Sequence, residues 1–264
     1  MGTGRVPAGT TSLFYTESGE GPAVLFLHAG VADSRMWQSQ FDAIEGYRMA
    51  AFDRRGFGQT SLGTVAYSDE NDAVAVMDHL GIDQAVVVGC SMGGAVAFAM
   101  ARDHPDRVRG LVLVGADAPG FQPESTWESP EWPLALEAFR AGDMRTLARL
   151  DAEIWLAGKD RTLDDIDPEL VDLFCDMDLI ALENEMARDD LLALPQVDRP
   201  PEPAPPSVVV VGAHDLPGLI EAAHHMAGRL GDQPAVVLEG TAHLPSMEVP
   251  DRFNTVLSEF LRSL

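Results

Sequence analysis

The chain has 264 residues, 46% of them hydrophobic, which suits one α/β domain with a large buried core and room for an insertion. Its 42 acidic residues against 18 Lys and Arg give a formal charge of −24, and that excess of like charge argues against nucleic acid or an anionic membrane surface as a partner. The two cysteines, Cys90 and Cys175, make no disulfide framework, and nothing resembles a zinc ligand cluster, so a reduced, cytoplasmic setting is expected.

The N-terminal MGTGRVPAGTTS lacks the apolar core of a signal peptide, and no apolar run approaches the roughly 20 residues of a membrane span. Thr11 to Glu17 predicts a first strand, turned by Ser18-Gly19-Glu20-Gly21. Pro22 to Leu27 is a continuous apolar run, the pattern of a strand covered on both faces in a parallel sheet, and it ends in His28-Ala29-Gly30-Val31. A short helix from Asp33 through Phe41 follows, with Asp33 as its cap. Tyr47 to Phe52 is the next strand, leading into Asp53-Arg54-Arg55-Gly56-Phe57-Gly58, and Ser68 to Leu80 is an amphipathic helix closed by Gly81.

Ala85 to Met100, AVVVGCSMGGAVAFAM, organises the rest of the chain. An apolar run enters Gly89-Cys90-Ser91-Met92-Gly93 and a small-residue helix leaves it, so the spacing predicts a buried strand, a sharp turn and a buried helix. Such a turn strains the backbone at Ser91, and glycines two residues either side avoid a clash with the neighbouring strand or helix. The N-terminus of the following helix offers unpaired N–H groups and a partial positive charge, suited to a developing oxyanion. A dinucleotide loop is disfavoured because Ser91 stands where G-x-G-x-x-G needs its second glycine, and a P-loop because the Gly-Lys-Ser/Thr ending is missing.

Val108 to Val114 repeats the buried-strand pattern, and the alternation of strands with helices implies right-handed βαβ units and one mostly parallel sheet. From Ala118 to about Arg199 the rhythm breaks. Three helices are expected there: one from near Pro133, one capped by Asp143 and stopped by Gly158, and one entered through Asp167-Pro168-Glu169. The stretch Arg199 to Pro206 is a stiff proline-rich connector, followed by a strand at Ser207 to Gly212, a helix at Gly218 to Leu230 and a last strand at Pro234 to Leu238. The final helix carries Phe253, Val256, Leu257, Phe260, Leu261 and Leu264 on one face, which must dock on the sheet.

Ligands of open α/β sheets sit beyond the carboxyl ends of the strands. After the strand at Ser207 to Gly212 comes Ala213-His214-Asp215, and after the last strand comes Gly240-Thr241-Ala242-His243, so Ser91, Asp215 and His243 emerge at one rim. A serine hydroxyl is a poor nucleophile at neutral pH until a base takes its proton, histidine has the pKa for that task, and a carboxylate fixes the imidazole tautomer.

With these residues assembled, the chain resembles the α/β-hydrolase family over essentially its whole length. The resemblance rests on His28-Ala29-Gly30, the Asp53 to Gly58 loop, the GCSMGG turn, Asp215 and His243. It implies an α/β-hydrolase fold, a mostly parallel twisted sheet flanked by helices, with residues 1–118 and 200–264 as core and 119–199 as an inserted helical cap. It implies Ser91 as nucleophile, Asp215 as orienting acid and His243 as general base, with backbone N–H groups of Met92 and Gly30 as the oxyanion hole. Ala29 departs from the usual glycine of that loop. Asp117 is the alternative acid, since some relatives place it there.

Other residues have plainer readings. Asp53 is structural, Arg54 and Arg55 pin their loop, and His28 orients its loop by a hydrogen bond. His79, His104, His224 and His225 are surface or helix-end residues, His214 is a neighbour of the acid, and Cys90 is buried and inert. Trp127, Trp132, Phe139, Trp155 and Met186 are candidates to line the acyl pocket, though a cap core calls for such residues too.

Serine at the turn, in place of aspartate, removes dehalogenase and epoxide hydrolase from the family's range. Carbon–carbon bond hydrolases usually carry Trp after the histidine where this chain has Leu244, and His243-Leu244-Pro245-Ser246-Met247-Glu248-Val249-Pro250 resembles small carboxylesterases and enol-lactonases. The expectation is therefore hydrolysis of a small-molecule ester or lactone through an acyl-serine. A carbon–carbon hydrolase of ring-cleavage products and a triad-bearing ligand receptor are the alternatives. No cofactor or metal is called for, because nucleophile, base and oxyanion donors are all protein groups; a homodimer is left open.

Overall fold

The computed structural model describes residues 1–125, 129–185, 201–231 and 233–264. Eight strands form one sheet in the order β1-β2-β4-β3-β5-β6-β7-β8. They are β1 (Gly2–Ala8), β2 (Thr11–Ser18), β3 (Ala23–Leu27), β4 (Arg48–Phe52), β5 (Ala85–Cys90), β6 (Val108–Val114), β7 (Ser207–Gly212) and β8 (Val236–Leu238). The first two pair antiparallel with each other, and β2 with β4; all the remaining pairings are parallel.

Because successive strand residues point to opposite faces, the apolar runs feed two cores. Leu25, Leu27, Phe52, Val87, Leu111, Leu113, Val209 and Val211 face one layer, and Val24, Phe26, Met49, Val86, Val88, Val112, Val114 and Val210 face the other. The first layer is closed by α2 (Asp69–Leu80), α3 (Met92–Asp103) and α7 (Pro217–Leu230). The second is closed by a 3-10 turn at Ser34–Trp37 that runs into α1 (Gln38–Ala43), and by the C-terminal α9 (Pro250–Ser263) behind the short α8 (Pro245–Glu248). Phe253, Leu257 and Leu261 of α9 are buried there, as their spacing predicts, and each such side chain contributes about 1.5–3 kcal/mol by leaving water.

Two features depart from the sequence expectation. Strand β1 is unforeseen: Gly2 to Ala8 pairs with Glu17 to Thr11, yet it is an exposed edge containing glycine and proline, so it carries no apolar alternation to announce it. The helix expected from Asp143 to Gly158 begins as α5 (Met144–Asp151), with Asp143 accepting from the Thr146 N–H, but widens to a π-helical turn over Ala152–Ala157. A widened turn of this kind is set by outside contacts that no periodicity records.

Between β6 and β7 lie α4 (Trp132–Ala141), α5, the π-helical turn and α6 (Pro168–Glu185). Ala135, Ala138, Leu147, Ala148, Ile154 and Leu182 form a small apolar cluster of their own, while Val171, Phe174 and Met177 of α6 join the core under the sheet. Among the described residues no helix is long and apolar enough to cross a membrane.

Candidate active site

Ser91 sits at the joint of β5 and α3 with φ 53° and ψ −118°, a conformation that costs of order 1–3 kcal/mol for a residue with a side chain. A Cβ on Gly89 would overlap the carbonyl of Gly93, and one on Gly93 would overlap the carbonyl of Leu27 at the end of β3. Both positions must therefore be glycine if the turn is to fit between sheet and helix. The turn is held by Ser91 N–H donating to Val114 O at 2.8 Å and by Ser91 O accepting from Gly94 N–H at 2.8 Å. Ser91 itself is half-buried.

His243 follows β8, and its Nδ1 lies 2.9 Å from Asp215 Oδ2, with both residues buried at 2% exposure. Asp215 Oδ1 accepts from Leu216 N–H at 2.8 Å, so the carboxylate is fixed at both oxygens. With Nδ1–H donating to Asp215, the lone pair of the neutral ring is on Nε2. The pair stands beside the serine turn: Cys90 Sγ is 3.6 Å from the His243 carbonyl oxygen, and a Cβ on Gly115, next to the Val114 carbonyl that holds Ser91, would meet His243 Nδ1 at 3.0 Å. Burial pushes the Cys90 thiol far up, so it stays protonated and unreactive.

Met92 N–H is the first amide of α3 and has no carbonyl within the helix to bond. A Cβ on Gly30 would stand 3.1 Å from Met92 Cε, so the loop after β3 packs against the Met92 side chain. The neighbouring Ala29 N–H points to Met36 Sδ at 3.4 Å.

The residues around this centre divide clearly. Asp117 is exposed, whereas Asp215 holds the imidazole. Asp53 accepts from Ser34 N–H at 2.9 Å and Gln59 N–H at 2.8 Å, a structural bridge, and burial raises its pKa. His28 contacts Ala29 O through Nδ1 at 2.7 Å and accepts from Arg54 N–H at 3.0 Å through Nε2; burial, and next the Arg54 charge, hold its pKa well below the ordinary value, so it is neutral. Arg54 and Arg55 reach Asp69 and Asp72 at 3.3 and 2.7 Å. His79, His224 and His225 are exposed and His104 is half-buried. His214 Nδ1 lies 2.9 Å from Lys159 O, tying its loop to the segment after the π-helical turn.

Of the aromatic candidates among the described residues, Trp155 comes closest: its ring lies 4.6 Å from that of His243 at 43°, and its carbonyl accepts from His243 N–H at 3.1 Å. Trp132 meets Trp155 edge-on at 5.7 Å, and Phe139 is 37% exposed on α4. Trp127 and Met186 lie outside the described residues. Sequence reasoning did not single out Gly115 or the ion pair of Arg161 with Glu248. The glycine directly after β6 was the available signal for the first; Arg161 meets Glu248 across 87 residues, a separation that leaves no signal.

The family model for the alpha/beta hydrolase fold matches residues 22–157, more than half of the chain. An AB hydrolase superfamily protein, YisY of Bacillus subtilis, is 26% identical over 96% of each chain. A solved thermophilic esterase from Thermogutta terrifontis superposes with a TM-score of 0.76 at 27% identity, covering 100% of this chain and 99% of its own. Est816, described as an N-acyl homoserine lactone degrading enzyme, superposes with a TM-score of 0.77 at 25% identity over 97% and 100%. The chain belongs to the α/β-hydrolase family.

Proposed function

We propose that this protein is a serine hydrolase that cleaves a small carboxylic ester or lactone through an acyl-Ser91 intermediate. The observation that carries the reading is the buried 2.9 Å bond between Asp215 and His243, set beside a strained serine at the mouth of α3. His243 Nε2 takes the Ser91 proton as Oγ attacks the carbonyl carbon, and the oxyanion that forms is held by the N–H groups of Met92 and Gly30. The imidazolium then protonates the leaving oxygen, and water, activated by the same base, releases the acid. Asp215 keeps the ring in the tautomer this cycle needs and stabilises its charged form.

In the same reading residues 119–199 are a cap over a core of 1–118 and 200–264, and Trp155 and Trp132 provide an aromatic wall for the acyl or leaving group. The esterase and the lactone-degrading neighbour favour this substrate class, and Leu244 after the histidine points away from carbon–carbon bond hydrolysis. The test is a panel of aryl esters, lactones and ring-cleavage dienones, together with fluorophosphonate labelling located by mass spectrometry. Labelling at Ser91 and a loss of roughly 10⁶ in kcat on Ser91→Ala are expected. Retention of most activity by that variant rejects the nucleophile, and labelling without turnover of any ester, lactone or dienone of the panel makes the protein a receptor instead.

A further inference from the structure

We infer that Arg161 and Glu248 are positioning residues for His243, a buried ion pair that ties the π-helical turn to the loop carrying the base and so sets where the imidazole stands. The inference rests on His243 being that base.

The loop from Thr241 to Leu244 presents three successive backbone N–H groups, and all three are taken. Glu248 accepts from Ala242 N–H at 3.0 Å through either carboxylate oxygen and from Leu244 N–H at 3.2 Å through Oε1. The N–H between them, that of His243, goes to the carbonyl of Trp155. Glu248 therefore grips the loop on both sides of the imidazole, while the π-helical turn grips it in the middle. Two alternate amides turned toward one carboxylate form an anion-binding concavity, and here the carboxylate is supplied by the chain itself, five residues after the histidine.

Arg161 joins the two grips. Its Nη2 lies 2.7 Å from Glu248 Oε2 and 2.9 Å from Leu156 O, its Nε 2.8 Å from Ala157 O, and its Nη1 2.8 Å from Gly240 O. One planar guanidinium thus spans the end of the π-helical turn, the start of the histidine loop and the carboxylate between them, a geometry lysine cannot reproduce. The pair is enclosed, with side chains 13% and 3% exposed, so neither charge is matched by water if its partner is removed. Burial raises the Glu248 pKa, and Arg161 and the Ala242 amide oppose that rise. Trp155, held by the same turn, lies against the imidazole face.

The experiment compares Arg161→Met, Glu248→Gln and Arg161→Lys with the wild type in kcat, KM and the rate of Ser91 phosphonylation by a fluorophosphonate, each per folded molecule counted by circular dichroism. Because the pair holds the histidine loop and makes no contact with substrate itself, its loss should lower kcat and phosphonylation together by about 10–100-fold in the first two variants, with the smaller effect on KM, less than about threefold, that a shift of the Trp155 wall would bring. Arg161→Lys, which keeps the charge but not the fork, should lose about three- to tenfold. If the first two variants do not fold, the lysine variant decides: wild-type kcat in it overturns the inference, as does wild-type phosphonylation in any folded variant. Absence of label at Ser91 in the wild type would instead reject the serine reading itself, whatever the pair does.

Discussion

Gly115→Ala tests the packing behind the acid and base. Gly115 has φ +53°, and a Cβ added to it would lie 3.0 Å from His243 Nδ1, 3.1 Å from His243 Cε1 and 3.3 Å from Asp215 Oδ2. The left-handed backbone costs an alanine about 1–2 kcal/mol, which in a domain of this size lowers Tm by roughly 2–8 °C. Ordinary contacts between such atoms are near 3.5 Å, so the imidazole and carboxylate must retreat by about 0.2–0.5 Å. If a displacement of 1 Å costs roughly a hundredfold in rate, this one should lower kcat about three- to tenfold. The assay is kcat on the best ester of the panel beside a thermal melt followed by circular dichroism, with phosphonylation of Ser91 as a check free of product release. A variant that loses the expected Tm but keeps wild-type kcat and phosphonylation would falsify the claim that this glycine makes room for the pair.

The choice of acid is decided by a second comparison. Asp215→Asn should reduce kcat by roughly 10⁴, because the amide no longer fixes the tautomer, whereas Asp117→Asn should leave it within about twofold; the reverse pattern reassigns the acid. His28 makes a pH prediction. Its folded pKa lies well below that of an unfolded histidine, so the stability it contributes is complete above about pH 6.5 and is lost as pH falls, when only the unfolded chain takes the proton. Urea unfolding at pH 7.5 and 5.5 should show the wild type losing roughly 1.4 kcal/mol more than His28→Gln between the two, and equal losses would show that His28 is protonated in the folded protein.

Much of the molecule was legible from local pattern. The runs at 23–27, 48–52, 85–90, 108–114 and 207–212 are apolar on both sides because a parallel sheet is covered on both faces, and that requirement is written into consecutive residues. The turn at Ser91 was legible because its glycines answer to backbone crowding within a few residues, and the rim shared by Ser91, Asp215 and His243 follows from counting strand ends. Strand β1 was hidden because an exposed edge need not alternate.

Resemblance chose Asp215 as the acid and kept Asp117 as the alternative, because both follow strands; the contact itself, Asp215 Oδ2 on the imidazole, comes from the tertiary structure. That structure alone widened α5 into the π-helical turn that lays Trp155 on His243, joined Arg161 to Glu248 and put Gly115 behind the pair. Periodicity records the environment of one segment, while each of these contacts joins segments far apart in the chain, and the free energy that fixes them exists only once the sheet has brought them together.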